Sequence, residues 1–227
     1  MSLIKKASRG ETFLKLGLTG PSGSGKTYSA LLIAKGLSGG DLEKVVVIDT
    51  ENGSANLYSD LGNYSVLPFA PPFHPERYAS AIDLCVKEGF KNIIIDSISH
   101  EWDGDGGCLD LQTKFGGKFS DWAKVTPMHK KFIDAILQAK AHIIVTTRRK
   151  QDYAMVEKNG KTSVEKMGLK EIQRDGFEYE LTLNLALDTS HLALASKNRT
   201  GLFKDNIPFL ITEETGKAIL KWNQSTS

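Results

Sequence analysis

Apolar residues follow two different spacings near the start of the 227-residue chain. Leu14, Leu16 and Leu18 alternate with other residues, which is typical of a strand. The segment 27–37 instead carries apolar residues at helical spacing. Between the two lies a segment rich in glycine, so the pattern predicts a strand, a tight loop and a helix in direct succession.

Three later segments are continuous apolar runs, at 44–50, 92–97 and 141–147. Runs of this kind are typical of parallel strands that are buried on both faces. The same patterns predict a short strand at 64–69 and helices at 76–89, after Pro75, and at 122–139. The last helix carries His129, which we expect at its surface.

The C-terminal part of the chain alternates apolar and polar residues in two neighbouring segments, 178–188 and 192–196. This alternation across a polar turn predicts an antiparallel hairpin, which a short strand at 207–211 and a final helix ending near Trp222 follow. We therefore expect one α/β domain over 1–227, with a mainly parallel sheet flanked by helices and a C-terminal antiparallel hairpin. Residues 1–10 form a basic arm that we expect to be mobile.

Two segments lack a clear apolar period. Residues 103–118 are rich in glycine and charge, which predicts a mobile loop. Residues 149–166 combine several cations with one aromatic residue, Tyr153, and predict a mobile, weakly basic loop, with a solvated hairpin as the alternative.

Composition narrows the choice of function only a little. The chain has 29 Lys and Arg against 27 Asp and Glu, so the overall charge neither requires nor excludes a nucleic-acid partner. Cys85 and Cys108 have no metal-binding or redox spacing, and we expect no disulfide. No apolar run resembles a signal peptide or a membrane span, so we expect a soluble, intracellular protein without a membrane partner.

The glycine-rich segment at 20–27 reads GPSGSGKT and fits the phosphate-loop pattern G-x-x-x-x-G-K-[ST]. Backbone N–H groups of such a loop surround a polyphosphate at a helix N-terminus, where the helix dipole favours anions. Lys26 is expected to contact the β- and γ-phosphates, and the Thr27 hydroxyl to ligate Mg²⁺. The residues predicted to bind ATP are Gly20, Pro21, Ser22, Gly23, Ser24, Gly25, Lys26, Thr27 and Tyr28.

Carboxylates follow two of the predicted buried strands. Asp49 and Glu51 end the first strand, and Asp96 ends the run of isoleucines in the second. An aspartate at a strand end is often only a turn residue. Downstream of a phosphate loop, however, Asp96 corresponds to the Walker B carboxylate that lies beside Mg²⁺.

Four motifs in order, GPSGSGKT, VIDTENG, IIIDS followed by HEW, and SKNRTG, resemble the core-only RecA-like ATPases found especially in bacteriophages. These include single-strand annealing proteins, and the resemblance covers about residues 12–222. It implies a P-loop NTPase fold, Mg²⁺-dependent ATP hydrolysis and action on single-stranded DNA in recombination or annealing. It also implies a phage-encoded protein in the cytoplasm of a bacterial host.

The resemblance assigns further roles to single residues. RecA-like ATPases have the general base for the attacking water just after the strand that precedes the Walker B strand, and Glu51 matches that position. In many other phosphate-loop ATPases this glutamate directly follows the Walker B aspartate, where this chain has Ser97. Lys197 and Arg199 look like the paired cations that reach the ATP of a neighbouring subunit. Catalysis is thus expected from Glu51, Lys26, Lys197 and Arg199.

The resemblance implies partners as well. These are single-stranded DNA, further copies of the chain with ATP sites between subunits, and a single-strand-binding protein. The segments at about 101–120, including Trp102, Lys114 and Lys118, and at about 149–166 would contact the DNA. Two alternatives remain open: a small-molecule kinase with the cations at 148–150 as a lid, and an assembly protein in which ATP sets only the oligomeric state.

Overall fold

The computed structural model describes residues 4, 7–158 and 161–225, and the description excludes the side chains of residue 11 and residues 153–165. The strands are β1 Lys15–Gly20, β2 Val45–Asp49, β3 Ser65–Pro68, β4 Asn92–Asp96, β5 His142–Lys158, β6 Lys161–Glu171, β7 Leu183–Leu187, β8 Leu192–Asn198 and β9 Phe209–Leu210. The helices are α1 Lys26–Leu37, α2 Pro75–Lys87, α3 Ser99–Asp103, α4 Cys108–Lys114, α5 Trp122–Gln138 and α6 Glu213–Gln224.

The sheet has the strand order β3-β2-β4-β5-β1-β7-β8-β9. The first six strands in this order, β3, β2, β4, β5, β1 and β7, pair in parallel. Strands β8 and β9 add antiparallel pairs at one edge of the sheet. The prediction of an α/β P-loop fold with a C-terminal antiparallel hairpin is confirmed. Strand β5 lies between β1 and β4, so it separates the strand before the phosphate loop from the strand that ends in Asp96.

Successive residues of the central strands point into two separate cores. Ile94 packs with Leu18 and Ile144 in the core that α1 and α6 cover. Ile95, the next residue, packs with Val145 in the core that α2 and α5 cover. Burial on both faces explains why these strands are continuous apolar runs instead of alternating ones.

The predicted mobile loop at 103–118 is wrong, because this segment contains the end of α3 and all of α4. The predicted surface position of His129 is also wrong, since its side chain is buried. Its Nδ1 atom lies 3.0 Å from Glu101 Oε1 and 3.9 Å from Cys108 Sγ. Helical spacing alone could not reveal a polar side chain that faces polar partners on two other helices.

The segment at 149–166 belongs to a long hairpin formed by β5 and β6, so its description as a mobile loop is wrong and the hairpin alternative is confirmed. Backbone pairing extends from Arg149 opposite Glu171 to Lys158 opposite Lys161, with a register shift after Asp152. The side chain of Tyr153 lies outside the described residues.

Part of the N-terminal arm contacts the last helix. Arg9 donates to Ser225 Oγ at 2.9 Å, and its guanidinium lies 5.0 Å from the centre of the Trp222 ring. Residues 1–3, 5 and 6, where the arm was predicted to be mobile, lie outside the described residues. Both cysteines are buried and free. Over the described part of the chain, every helix is too short or too polar to cross a membrane.

Candidate nucleotide-binding site

The phosphate loop connects the end of β1 to the start of α1, as the sequence predicted. Gly23 and Gly25 have φ values of 77° and 84°, in the left-handed region that favours glycine. The buried Ser24 Oγ has no hydrogen-bond partner among the described residues. A loop of glycines with left-handed torsions and an unpartnered hydroxyl fits a polyphosphate, which supplies acceptors to such groups.

The Lys26 ammonium lies inside the loop. Its Nζ donates to the carbonyl oxygens of Gly20 at 3.1 Å and Pro21 at 2.8 Å. Burial lowers the pKa of Lys26, while the nearby Asp96 and Glu51 carboxylates oppose that shift. The ammonium therefore lies where it can exchange two carbonyl oxygens for phosphate oxygens.

Asp96 is surrounded by hydroxyl groups. Its Oδ2 accepts from Thr27 Oγ1 at 2.6 Å, and its Oδ1 accepts from Thr146 Oγ1. Burial raises the pKa of Asp96, although the two hydroxyl donors partly counter that effect. Oxygen donors from Thr27 and Asp96 are the ligand type that Mg²⁺ prefers, so these two residues fit the predicted metal site.

The turn after β2 is fixed by Asp49. One carboxylate oxygen of Asp49 accepts from the backbone N–H of Glu51 at 2.7 Å, and the other accepts from that of Ala55 at 3.1 Å. Both oxygens are thus used to hold the turn. Of the two carboxylates that end this strand, only Glu51 has a side chain directed to the neighbouring strand ends.

The Glu51 carboxylate forms a bidentate ion pair with Arg148. Arg148 Nε donates to Oε1 at 2.8 Å, and Nη2 donates to Oε2. Ser97, which follows Asp96, donates to the same Oε1 at 3.1 Å. Sequence patterns revealed neither contact, because Arg148 stood among three successive cations and its neighbours depend on the order of the strands.

An open cleft of about 510 Å³ lies beside the phosphate loop. Tyr28 and Tyr58 form one wall, with ring centres 5.7 Å apart. His191, in the turn between β7 and β8, lies near the loop glycine Gly25, and Leu210 and Ile211 also line the cleft. Aromatic and aliphatic side chains beside a phosphate site can stack on a nucleobase. Tyr28 was predicted here, whereas Tyr58 and His191 were not.

The predicted trans cations lie far along the sheet from the phosphate loop. Strand β8 begins beside the loop and runs antiparallel to β7, so Asn198 pairs with Leu183, which in turn pairs with Leu16 of β1. Lys197 Nζ donates to the carbonyl oxygens of Glu178, at 2.9 Å, and Tyr179. Arg199 Nη2 also donates to the Tyr179 carbonyl, at 3.4 Å.

The predicted DNA-contacting segments have mixed surroundings. Trp102 stacks on Trp122 with ring centres 5.4 Å apart, which covers one face of its indole. Lys114 is paired with Asp110 at 2.7 Å, and Lys118 is exposed. Glu101, next to Trp102, is buried and bonded to His129, so Glu51 is the better placed of the two glutamates for a role at the phosphate loop.

Fold and site together define a P-loop nucleotide-binding domain. A family model described as an AAA domain matches residues 12–206 of the chain, which include the phosphate loop, Glu51, Asp96 and both predicted cations. The chain therefore belongs to this AAA-domain family. No curated protein matches the sequence.

Proposed function

We propose that this AAA-domain protein hydrolyses ATP with Mg²⁺ and couples hydrolysis to single-stranded DNA, as in phage-type recombination or annealing. One observation carries the ATPase proposal. Thr27 donates to Asp96 at the end of β4, and Ser97 and Arg148 donate to Glu51 after β2. Both carboxylates lie near enough to Lys26 to oppose the lowering of its pKa by burial. A base, a phosphate-binding cation and oxygen ligands for a metal are the groups that phosphoryl transfer to water requires.

Binding uses groups that the loop already directs inward. Lys26 exchanges its two backbone carbonyl partners for β- and γ-phosphate oxygens. The Thr27 hydroxyl and the Asp96 carboxylate would hold Mg²⁺, which would compensate charge on the phosphates. Tyr28 and Tyr58 provide the apolar surface for the base.

Hydrolysis then depends on Glu51. Its carboxylate orients a water molecule and accepts a proton as the water oxygen bonds to the γ-phosphorus. The bond between that phosphorus and the bridging oxygen breaks, so the products are ADP and inorganic phosphate. Ser97 holds Glu51 by donating to Oε1, which leaves Oε2 for the water once Arg148 turns away.

Arg148 can serve as a sensor of the γ-phosphate. Its guanidinium is partly exposed, and Arg148 lies on β5 opposite Gly20, the first residue of the phosphate loop. An anion at the γ-position competes with Glu51 for this cation, and a guanidinium binds phosphate oxygens bidentately as well as it binds a carboxylate. Binding of ATP would thereby release Glu51 from Arg148, so that Glu51 can accept the proton of the attacking water.

The DNA and assembly parts of the proposal have separate support. Hairpin β5–β6 continues from the strand that bears Arg148, and its described residues include Arg149, Lys150 and Lys166. A basic, two-stranded ribbon suits contact with a phosphate backbone. Lys197 and Arg199 lie towards the amino end of β1, away from their own phosphate loop, which favours action on a neighbouring subunit.

The kinase alternative has less support. The cations at 148–150 lie within β5, where Arg148 binds Glu51, Arg149 donates to the Leu169 carbonyl and Lys150 contacts Asp103. They form part of a hairpin and not a lid over the phosphate loop.

The direct experiment is ATP turnover of the full chain without any acceptor, measured with and without single-stranded DNA. We expect Mg²⁺-dependent release of phosphate that DNA stimulates. Glu51→Gln should still bind ATP but turn over roughly 10²-fold or more slowly, since the amide cannot accept the proton. Glu88→Gln, an exposed glutamate on the surface, is the matched control. Tight ATP binding without turnover in the unchanged protein would favour the assembly-protein alternative, and turnover only with an added acceptor would favour a kinase.

A further inference from the structure

A second group of metal-ligand side chains lies apart from the phosphate loop. Glu101 on α3, Cys108 on α4 and His129 on α5 are all buried, and one potential ligand atom from each lies within 4.8 Å of the others. Three helices thus direct one oxygen, one sulfur and one nitrogen to a common point. Neither the fold nor the proposed ATPase chemistry requires this convergence.

The distances within the group resemble those of a coordination shell. Cys108 Sγ lies 3.1 Å from Glu101 Oε1 and 3.9 Å from His129 Nδ1, and the two lighter atoms are 3.0 Å apart. Bond lengths of about 2.0–2.3 Å around a tetrahedral zinc ion place neighbouring ligand atoms about 3.3–3.6 Å apart. Shifts of a few tenths of an ångström would convert the hydrogen-bonded triangle into three ligands of one ion.

The backbone between α3 and α4 is built to bring Glu101 and Cys108 together. At Gly107, the residue before Cys108, a β-carbon would lie only 2.7 Å from the carbonyl oxygens of both His100 and Glu101. Only glycine permits this close approach. The geometry therefore brings Cys108 directly against Glu101.

Neighbouring groups would support a bound ion. Gln173 donates its side-chain amide to the second oxygen of Glu101 at 3.2 Å, which orients the carboxylate. The indole of Trp102 packs edge-on against the His129 ring, with centres 5.6 Å apart. Hydrogen-bonded carboxylates and an apolar surround are the usual outer shell of protein metal sites.

An open cavity lies next to one of the three residues. His129 borders this cavity of about 370 Å³ between α5 and the segment after β6, which Thr126, Ile133, Arg174 and Phe177 also line. A water molecule would supply the fourth ligand of the ion. Three protein ligands and one water molecule are a known arrangement for zinc.

We propose that Glu101, Cys108 and His129 bind a Zn²⁺ ion that fixes helices α3, α4 and α5 to one another. Cys108 coordinates as a thiolate, so binding releases its proton to solvent. The two negative ligands then neutralise the ion, and the buried site carries no net charge. The competing structure is a metal-free cluster in which His129 Nδ1 and the Cys108 thiol both hydrogen-bond to Glu101.

Cobalt distinguishes the two structures in the unchanged full-length protein. Metal-free protein, prepared with a chelator and without a histidine tag, is titrated with Co²⁺ in excess Mg²⁺, which occupies the oxygen site at Thr27 and Asp96. We expect tetrahedral Co²⁺ absorption with a thiolate-to-cobalt charge-transfer band that saturates at a single equivalent and is lost when Zn²⁺ displaces Co²⁺. Absence of the charge-transfer band would overturn the proposal.

Cys85 provides a matched control, because it is the other buried free cysteine and lies on α2. Cys108→Ser should abolish the charge-transfer band and weaken Zn²⁺ binding by at least about 10-fold, whereas Cys85→Ser should change neither. Equal Zn²⁺ affinity in both variants would contradict the site. Gln173→Ala removes the donor to Glu101 together with the hydrogen bonds to the Ile98 carbonyl and from the Arg174 N–H, and it should weaken Zn²⁺ binding by about 10–100-fold.

A measurement on the unchanged protein covers the case in which the Cys108 variant does not fold. Zn²⁺ should slow alkylation of Cys108 and leave that of Cys85 unchanged, as peptide mass spectrometry can show after timed exposure to iodoacetamide. If Zn²⁺ leaves both rates unchanged, the three residues form the metal-free, hydrogen-bonded cluster. None of these readouts depends on ATP turnover, so the outcome is separate from that of the proposed function.

Discussion

Arg148 forms a bidentate salt bridge with the Glu51 carboxylate at the carboxyl edge of the sheet. Nε donates a hydrogen bond to Oε1 at 2.8 Å, and Nη2 donates one to Oε2. Between their strands lies β4, which ends in Asp96. The cation therefore spans the site at which water, metal and γ-phosphate would meet. Through this salt bridge, the presence of a γ-phosphate would decide whether Arg148 binds Glu51, the proposed base.

The first prediction concerns Arg148→Ala. If the guanidinium moves from Glu51 to the γ-phosphate, its loss should lower kcat by about 10–10²-fold with a small change in KM, because the contact is strongest in the transition state. Arg149→Ala is the matched control, since the next side chain of the strand donates instead to the Leu169 carbonyl. Turnover at the normal rate in Arg148→Ala would contradict the sensor role, and faster turnover would show that the pair only inhibits.

The second prediction is that the ATP site is completed by a neighbouring subunit. Lys26→Ala should not hold ATP, and the double variant Lys197→Ala/Arg199→Ala should hold ATP without hydrolysing it. A cation supplied in trans can contribute about 10³-fold or more to phosphoryl transfer, so mixing the two variants should restore part of the activity. Subunits that co-assemble and stay inactive would exclude action in trans.

The third prediction concerns DNA binding by hairpin β5–β6. Lys158 and Lys161 form the last described backbone pair of the hairpin, and their side chains lie outside the described residues. Lys158→Glu/Lys161→Glu should weaken binding of single-stranded DNA and reduce the salt slope by about 0.7 for each phosphate that the protein no longer neutralises. Lys87→Glu/Lys91→Glu, which changes the same charge at two exposed positions before β4, is the control. If the hairpin variant keeps the DNA affinity and the salt slope of the unchanged protein, the hairpin does not contact DNA.

The fourth prediction concerns acid stability and His142. Its Nδ1 accepts from the Leu14 N–H at 3.0 Å, and burial, with the nearby Lys15 charge, lowers the pKa of His142 to about 4. The unfolded chain takes up this proton near its ordinary pKa of about 6.5, whereas the folded chain does not until about 4. The free energy of unfolding should thus fall as the pH drops through this window, by about 2 kcal/mol between about pH 7 and pH 5.

His142→Asn isolates that contribution. The asparagine side chain can still accept from Leu14 but cannot be protonated in this range, so denaturant titrations should show a smaller pH dependence than in the unchanged protein. The same loss of stability in both proteins would assign the effect to other groups.

Local patterns predicted the phosphate loop, Lys26, Thr27 and Asp96, since each belongs to a short motif at the end of a buried strand. Arg148 could not be assigned in this way. Its partner Glu51 is 97 residues away in the sequence, and the two meet only because β2, β4 and β5 are successive neighbours in the sheet. Strand order is a property of the whole fold and not of either motif.

The segment at 103–118 shows a second limit of sequence patterns. Glycine and charge are typical of mobile loops, yet here Gly107 permits a close backbone approach, and Cys108 is fully buried against Glu101 and His129. Glu101, Cys108 and His129 lie on three separate helices and contact one another, with His129 21 and 28 residues from its two partners. Residue-by-residue hydrophobicity counts Glu101 and His129 as surface positions.

Strand β5 has two environments along one continuous backbone. Its first residues are buried between β1 and β4, Arg148 marks the last pairing with β1, and the remainder forms the ribbon with β6. If ATP at one end and DNA at the other favour the same position of this strand, their binding free energies are linked. Linkage is reciprocal: whatever factor DNA adds to the affinity for ATP, ATP must add to the affinity for DNA. Hydrolysis of ATP would then move β5 from the favoured position and weaken the binding of DNA as well.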